Sequence, residues 1–154
     1  MKTLILGIGN SILGDDGVGV HVAQELAERI TDESIDVKDT SVGGLNLLEL
    51  IVGYDRLIVI DAIMTEDGEV GEVYRLRPES AGEPARSAIS SHHCNLATTI
   101  EIGKKLFPGE MPEEIIVFAV GTQEVAKVTE ELTGKVEGAI PRVVSLILEE
   151  TNAT

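Results

Sequence analysis

Short apolar runs alternate with segments of helical periodicity along the first part of the chain. Residues 3–8 form an apolar run that leads into glycines, as expected of a strand buried on both faces. Residues 18–30 then carry aliphatic side chains at helical spacing. A second strand over 34–40, a short helix over 44–53 and a β-branched third strand over 56–62 follow. This βαβαβ order predicts a parallel α/β sheet with right-handed crossovers.

The alternation breaks after the third predicted strand. Only about eight residues separate Ala62 from the next strand, over 71–78, and a parallel crossover needs on the order of ten to twelve or more. We therefore expect the fourth strand to run antiparallel to the others. A loop over 79–91, a helix from about 92 to 106 and a fifth strand over 114–121 follow.

The last segment, 133–150, has apolar residues on one helical face but contains Pro141. Proline removes one helical hydrogen bond and clashes with the preceding turn. We expect either a kink at this position or a helix that starts later than the periodicity indicates.

Length and charge narrow the class of protein. A chain of 154 residues suits one domain, which we assign to 1–154, and no apolar run approaches the roughly 18 residues that span a bilayer. The net charge of -15 argues against nucleic acid and against an anionic membrane surface as partners. The single cysteine, Cys94, excludes an internal disulfide and is compatible with a reducing cytoplasm.

A glycine-rich turn, GIGNSILGDDGVGV, follows the first predicted strand. One interpretation is a dinucleotide fingerprint, which requires Gly-x-Gly-x-x-Gly before a helix. Gly7 and Gly9 fit that pattern, but Ile12 stands at the third glycine position. Asp15 and Asp16 would also repel a pyrophosphate from the start of the following helix. The turn therefore favours a different ligand.

Carboxylates end up at one edge of the predicted sheet. One of the pair Asp15 and Asp16 can cap the following helix, which leaves the other as a hard ligand or general base. Asp61 ends the third predicted strand, where a cap or turn role is the alternative. Because ligands bind beyond the carboxyl ends of parallel strands, near the point where strand order reverses, Asp16 and Asp61 are expected to face one crevice.

Two histidines, His92 and His93, stand at the start of a predicted helix in SSHHCNLA. A charged imidazole is disfavoured by the positive end of the helix dipole, whereas a neutral imidazole that binds a metal is not. A surface histidine capped by Ser90 or Ser91 is the alternative. Two carboxylates and one imidazole would suit a divalent ion such as nickel, zinc or cadmium.

The glycine-rich turn, the VIDA strand end and the SSHHCNL helix start resemble, in this order and separation, the hydrogenase maturation proteases. These endopeptidases remove a C-terminal extension from the large subunit of [NiFe] hydrogenases. The resemblance covers nearly the whole chain, including LTGKV before the last helix. It implies a three-layer α/β/α sandwich around a five-stranded sheet of order 2-1-3-5-4 with the fourth strand antiparallel.

The resemblance also implies a set of site residues. Asp16, Asp61 and His92 match the family's metal ligands. His92 is matched rather than His93 because the family has a leucine four residues later, and Leu96 stands there. The implied partner is the large-subunit precursor, and the implied metal is the nickel that this precursor carries. Cadmium or zinc can take the place of nickel.

Asp39, at the end of the second predicted strand, matches another acidic position of the family. The family often has two glycines directly after it, whereas Thr40 and Ser41 stand here. Asp16 or Asp39 is the expected general base. A non-catalytic nickel-binding or chaperone module for the immature large subunit is the alternative function, and a dinucleotide-binding protein is a third.

Overall fold

The computed structural model describes residues 1–65, 68–78, 88–89, 93–123 and 127–152. Its strands are β1 (Thr3–Ile8), β2 (Ile35–Thr40), β3 (Arg56–Thr65), β4 (Val73–Leu76), β5 (Ala88–Ile89) and β6 (Glu114–Thr122). Its helices are α1 (Val18–Arg29), α2 (Leu48–Ile51), α3 (His93–Leu106) and α4 (Gly134–Thr151), with 3-10 turns at Gly14–Gly17 and Gly44–Leu47.

The sheet has the order β2-β1-β3-β6-β4. β1, β2, β3 and β6 pair in parallel, whereas β4 pairs antiparallel with β6. With β6 as the fifth predicted strand, this arrangement confirms the order 2-1-3-5-4 and the reversed fourth strand. The two residues of β5, which the sequence did not predict, pair antiparallel with β3 at Met64 and Thr65.

β3 is longer than the sequence predicted. It was expected to end at Ala62 but continues to Thr65. Its pairing with β1 stops at Ile60, opposite Gly7, while its pairing with β6 runs on to Met64. The expected position of Asp61 at the strand end was therefore wrong. β3 continues because β6 and β5 supply backbone hydrogen-bond partners beyond the last residue that pairs with β1.

Two apolar cores lie on the two faces of the sheet. Because side chains alternate along a strand, Leu4 and Leu6 of β1 point to one face and Ile5 to the other. The first face packs against α2 and α3, and the second packs against α1 and α4. Each fully buried Leu or Ile side chain contributes about 1.5–3 kcal/mol. These two cores confirm the predicted three-layer α/β/α sandwich.

α4 includes Pro141, so of the two alternatives the later helix start was wrong, while a kink at this position stays a prediction. Pro141 is exposed, whereas Val136, Val143 and Ile147 are buried against the sheet. The buried face offsets the lost hydrogen bond, since tertiary packing supplies most of the stability of a protein helix. Within the described residues, no helix is long and apolar enough to cross a bilayer.

Candidate active site

The glycine-rich turn after β1 is closed by hydrogen bonds within it. The backbone N–H of Asn10 donates to Oδ2 of Asp16 over 2.9 Å. The side chain of Asn10 accepts from the N–H of Ile12, and its carbonyl accepts from the N–H of Leu13. We call residues 10–16 the Asp16 loop. These bonds fix the half-buried Asp16 carboxylate relative to the end of β1.

α1 begins in direct contact with the sheet because Gly19 has no side chain. A Cβ there would lie 2.3 Å from the carbonyl oxygen of Ile60 and 2.8 Å from that of Ile8. Gly7 faces the same helix, since its Cβ would lie 2.2 Å from the carbonyl oxygen of Gly19. The dinucleotide fingerprint would place the packing glycine at Ile12, whereas Gly19 has this role here. The signal was present in the Gly-Val-Gly-Val pattern that opens α1.

Asp61 is buried on the α3 face of the sheet, with 3% of its surface exposed. It shares that face with Val59 and Ile63, which belong to the core under α2 and α3. Its Oδ1 accepts a hydrogen bond from the backbone N–H of Ala62 over 2.8 Å. A carboxylate with so little access to water costs free energy unless bonds to its charge offset the burial. The site therefore contains one deeply buried carboxylate.

The Asp16 loop and Asp61 lie at the same end of the sheet. The 3-10 turn that carries Asp16 contacts β3, and Asp61 follows directly on the last β1–β3 pair. This is the end of the sheet at the reversal of strand order, where the sequence predicted the site. His92, the third predicted ligand, lies outside the described residues. Its neighbour His93 is the first residue of α3.

Asp39 lies at the same end of the sheet but on the opposite face from Asp61. Asp39 pairs in register with Gly7, which faces α1. Because side chains at paired positions of neighbouring strands point to the same face, Asp39 also lies on the α1 face of the sheet. Asp39 is exposed. Its part in cleavage stays a prediction.

Asp15 does not cap α1, so that alternative for the aspartate pair was wrong. The cap of α1 is Gly17, which makes no side-chain capping bond, and Asp16 bonds Asn10 instead. Both carboxylate oxygens of Asp15 accept hydrogen bonds from Thr133, one from its N–H and one from its hydroxyl, each over 2.8 Å. Asp15 therefore ties the Asp16 loop to the residue before α4.

The donor groups of the site fit a divalent ion in kind. Hard and borderline cations bind carboxylate oxygens such as those of Asp16 and Asp61, and an imidazole would be the third ligand. Among the described residues, no group of three or more His, Cys, Asp or Glu side chains is placed to hold a metal ion. The three predicted ligands include His92, which lies outside the described residues.

Comparison with known proteins decides the family. The family model HycI, described as a hydrogenase maturation protease, matches residues 20–150. The chain belongs to the hydrogenase maturation protease family. It is similar to the hydrogenase 2 maturation protease of Escherichia coli (strain K12), with 28% identity over 153 residues that cover 97% of this chain and 92% of the relative.

Solved structures of hydrogenase maturation proteases share this fold. The hydrogenase maturating endopeptidase HybD from E. coli superposes with a TM-score of 0.84 at 28% identity, over 99% of this chain and 93% of that one. The [NiFe] hydrogenase maturation protease HybD from Thermococcus kodakarensis superposes with a TM-score of 0.77 at 24% identity, over the full length of both chains. The predicted family is thereby confirmed, and the chain is a protease of hydrogenase maturation.

Proposed function

We propose that this hydrogenase maturation protease removes the C-terminal extension of a [NiFe] hydrogenase large-subunit precursor, and that it does so after the precursor has received nickel. The observation that supports this most strongly is the position of Asp16 and Asp61 at the same end of the sheet in a hydrogenase maturation protease fold. The single cysteine of the chain supports a reducing compartment, and we propose the cytoplasm.

Nickel belongs to the substrate in this proposal. Asp16, Asp61 and His92 would bind it with two carboxylates and one imidazole, and cadmium or zinc could take its place. Bound there, nickel would polarise the scissile carbonyl or acidify a water molecule. Cleavage would then depend on nickel, because the metal would be the Lewis acid that activates the scissile carbonyl or the attacking water.

The residues of the chain orient the peptide and move protons. A water molecule attacks the scissile carbonyl while a carboxylate takes its proton, and the leaving amine then takes up a proton. The products are a new carboxylate terminus and a released peptide. Asp16 is our first candidate for the base because the bond from the Asn10 N–H to its Oδ2 holds this half-buried carboxylate at the carboxyl end of the sheet. Asp39 is the second candidate.

The test is a cleavage assay with a nickel-loaded precursor. Asp16→Asn, Asp61→Asn and His92→Ala should each slow cleavage by about a hundredfold or more, as expected for residues that act together on one reacting group. Asp32→Asn is the matched control, because Asp32 lies before β2 at the other end of the sheet, where asparagine can still accept from the N–H of Ser34. It should cleave at the wild-type rate.

Thermal melts should show that each variant is folded. Wild-type rates in all three site variants would refute the assignment of the site.

A further inference from the structure

Large exposed apolar side chains are concentrated at the carboxyl end of the sheet. Among the described residues seven such side chains are exposed, and five of them lie on the loops that follow β1, β2 and β6. The five are Ile12, Leu13, Val42, Leu45 and Val128. Isolated apolar residues on a surface need no explanation, but a group beside a site marks a surface for binding.

The backbone segments that carry two of these side chains are bonded to each other. The N–H of Thr129 donates to the carbonyl of Ile12 over 2.9 Å, and the N–H of Gly14 donates to the carbonyl of Thr129 over 2.8 Å. This bridge pairs Leu13 with Thr129 in parallel, and Ile12 and Val128 are the residues directly before the two paired positions. The exposed fractions of Ile12 and Val128 are 50% and 79%.

The pair is held close to the candidate active site. Ile12 belongs to the Asp16 loop, which the bond from Asn10 to Asp16 closes. On the other side, the two bonds from Thr133 to Asp15 hold the segment that carries Val128. These hydrogen bonds restrain the two segments, which lowers the ordering cost of binding.

We propose that Ile12 and Val128 form a docking surface for an apolar side chain of the large-subunit precursor, in the segment next to the scissile bond. The inference rests on the proposed function, since a protease must hold the chain beside the bond that it cuts. Exposed Lys127 precedes Val128, but exposed Glu130 and Glu131 follow it, and the whole chain carries a charge of -15. An acidic segment would be repelled there, so the occupant is an apolar segment with neutral or basic neighbours.

The experiment measures both affinity and cleavage. Ile12→Ser and Val128→Ser should each raise the Kd for the immobilised precursor, and the KM for cleavage, by about fivefold, as expected when one partly buried aliphatic contact is lost. The kcat should stay within about twofold of the wild-type value. Leu106→Ser is the matched control, because Leu106 is 60% exposed at the end of α3, away from the site, and it should change neither quantity.

The outcomes separate this inference from the proposed function. Wild-type protein that binds the precursor without cutting it would overturn the protease function, while the Kd ratios would still decide the docking surface. Cleavage with unchanged Kd and KM in both serine variants would overturn the docking surface alone. If instead the variants abolished a dimer seen by light scattering and left the Kd unchanged, the surface would bind a second copy of this chain and the proposal would be wrong.

Discussion

The contact between Gly19 and the sheet can be tested by a single methyl group. A Cβ at position 19 would lie 2.3 Å from the carbonyl oxygen of Ile60, about 1.1 Å closer than the 3.4 Å of an ordinary contact. That oxygen belongs to the backbone of a central strand and cannot move aside as a flexible side chain can. α1 must therefore shift, and overpacking of this kind costs about 1–3 kcal/mol.

Gly138 provides the same substitution without the contact. It lies on the exposed face of α4, and nothing comes within 4 Å of a Cβ placed there. Alanine in a helix is favoured over glycine by roughly 0.5–1 kcal/mol, at both positions. Gly138→Ala should therefore be stabilising by about that amount, whereas Gly19→Ala should be destabilising by about 1–2 kcal/mol, because the steric cost exceeds the gain.

Urea denaturation and thermal melts of the two variants measure the difference. For a chain of this length 1 kcal/mol corresponds to roughly 2–4 °C in Tm, so the two alanine variants should melt about 4–10 °C apart. Equal shifts, or a more stable Gly19→Ala protein, would refute the close packing of α1 on the ends of β1 and β3.

Three further predictions concern stability and ionisation. Asp15→Ala should be destabilising by about 1–2 kcal/mol in urea because Thr133 loses both acceptors, whereas Thr133→Ser should be nearly neutral. The hydrogen bond from Arg75 holds the pKa of Glu150 below its ordinary value of 4.5. Glu150→Gln should therefore be less stable than wild type by about 1 kcal/mol at pH 7. This difference should disappear as the pH falls from 4.5 through the lowered pKa of Glu150. A difference that stayed constant with pH would contradict the ion pair. Burial, and secondly a hydrogen bond to the Asp36 carboxylate, raises the pKa of Tyr54 to about 12. Tyr54→Phe should therefore remove the high-pH step from a titration of tyrosine absorbance.

The parts of the fold that depend on local pattern were predictable from the sequence. Apolar runs located the central strands, and the short connection before β4 was enough to predict its reversed direction. Gly7 and Asp16 were placed at the correct end of the sheet because parallel strands bring their carboxyl ends together.

Features set by distant contacts were not predictable. The partner of Asp15 lies 118 residues away at Thr133, so a local capping role was the natural but wrong expectation. The extension of β3 beyond Asp61 depends on pairing with β6 and β5. The tolerance of α4 for Pro141 depends on the buried face opposite it. In each case tertiary contacts outweighed a local rule.

The most direct test of the function is the intact mass of a large-subunit precursor after incubation with this protein. We predict that nickel-loaded precursor loses one C-terminal peptide by cleavage at a single bond, and that nickel-free precursor keeps its full mass. Nickel-loaded precursor that is bound but stays uncut, or precursor that is cut equally well without nickel, would contradict the account.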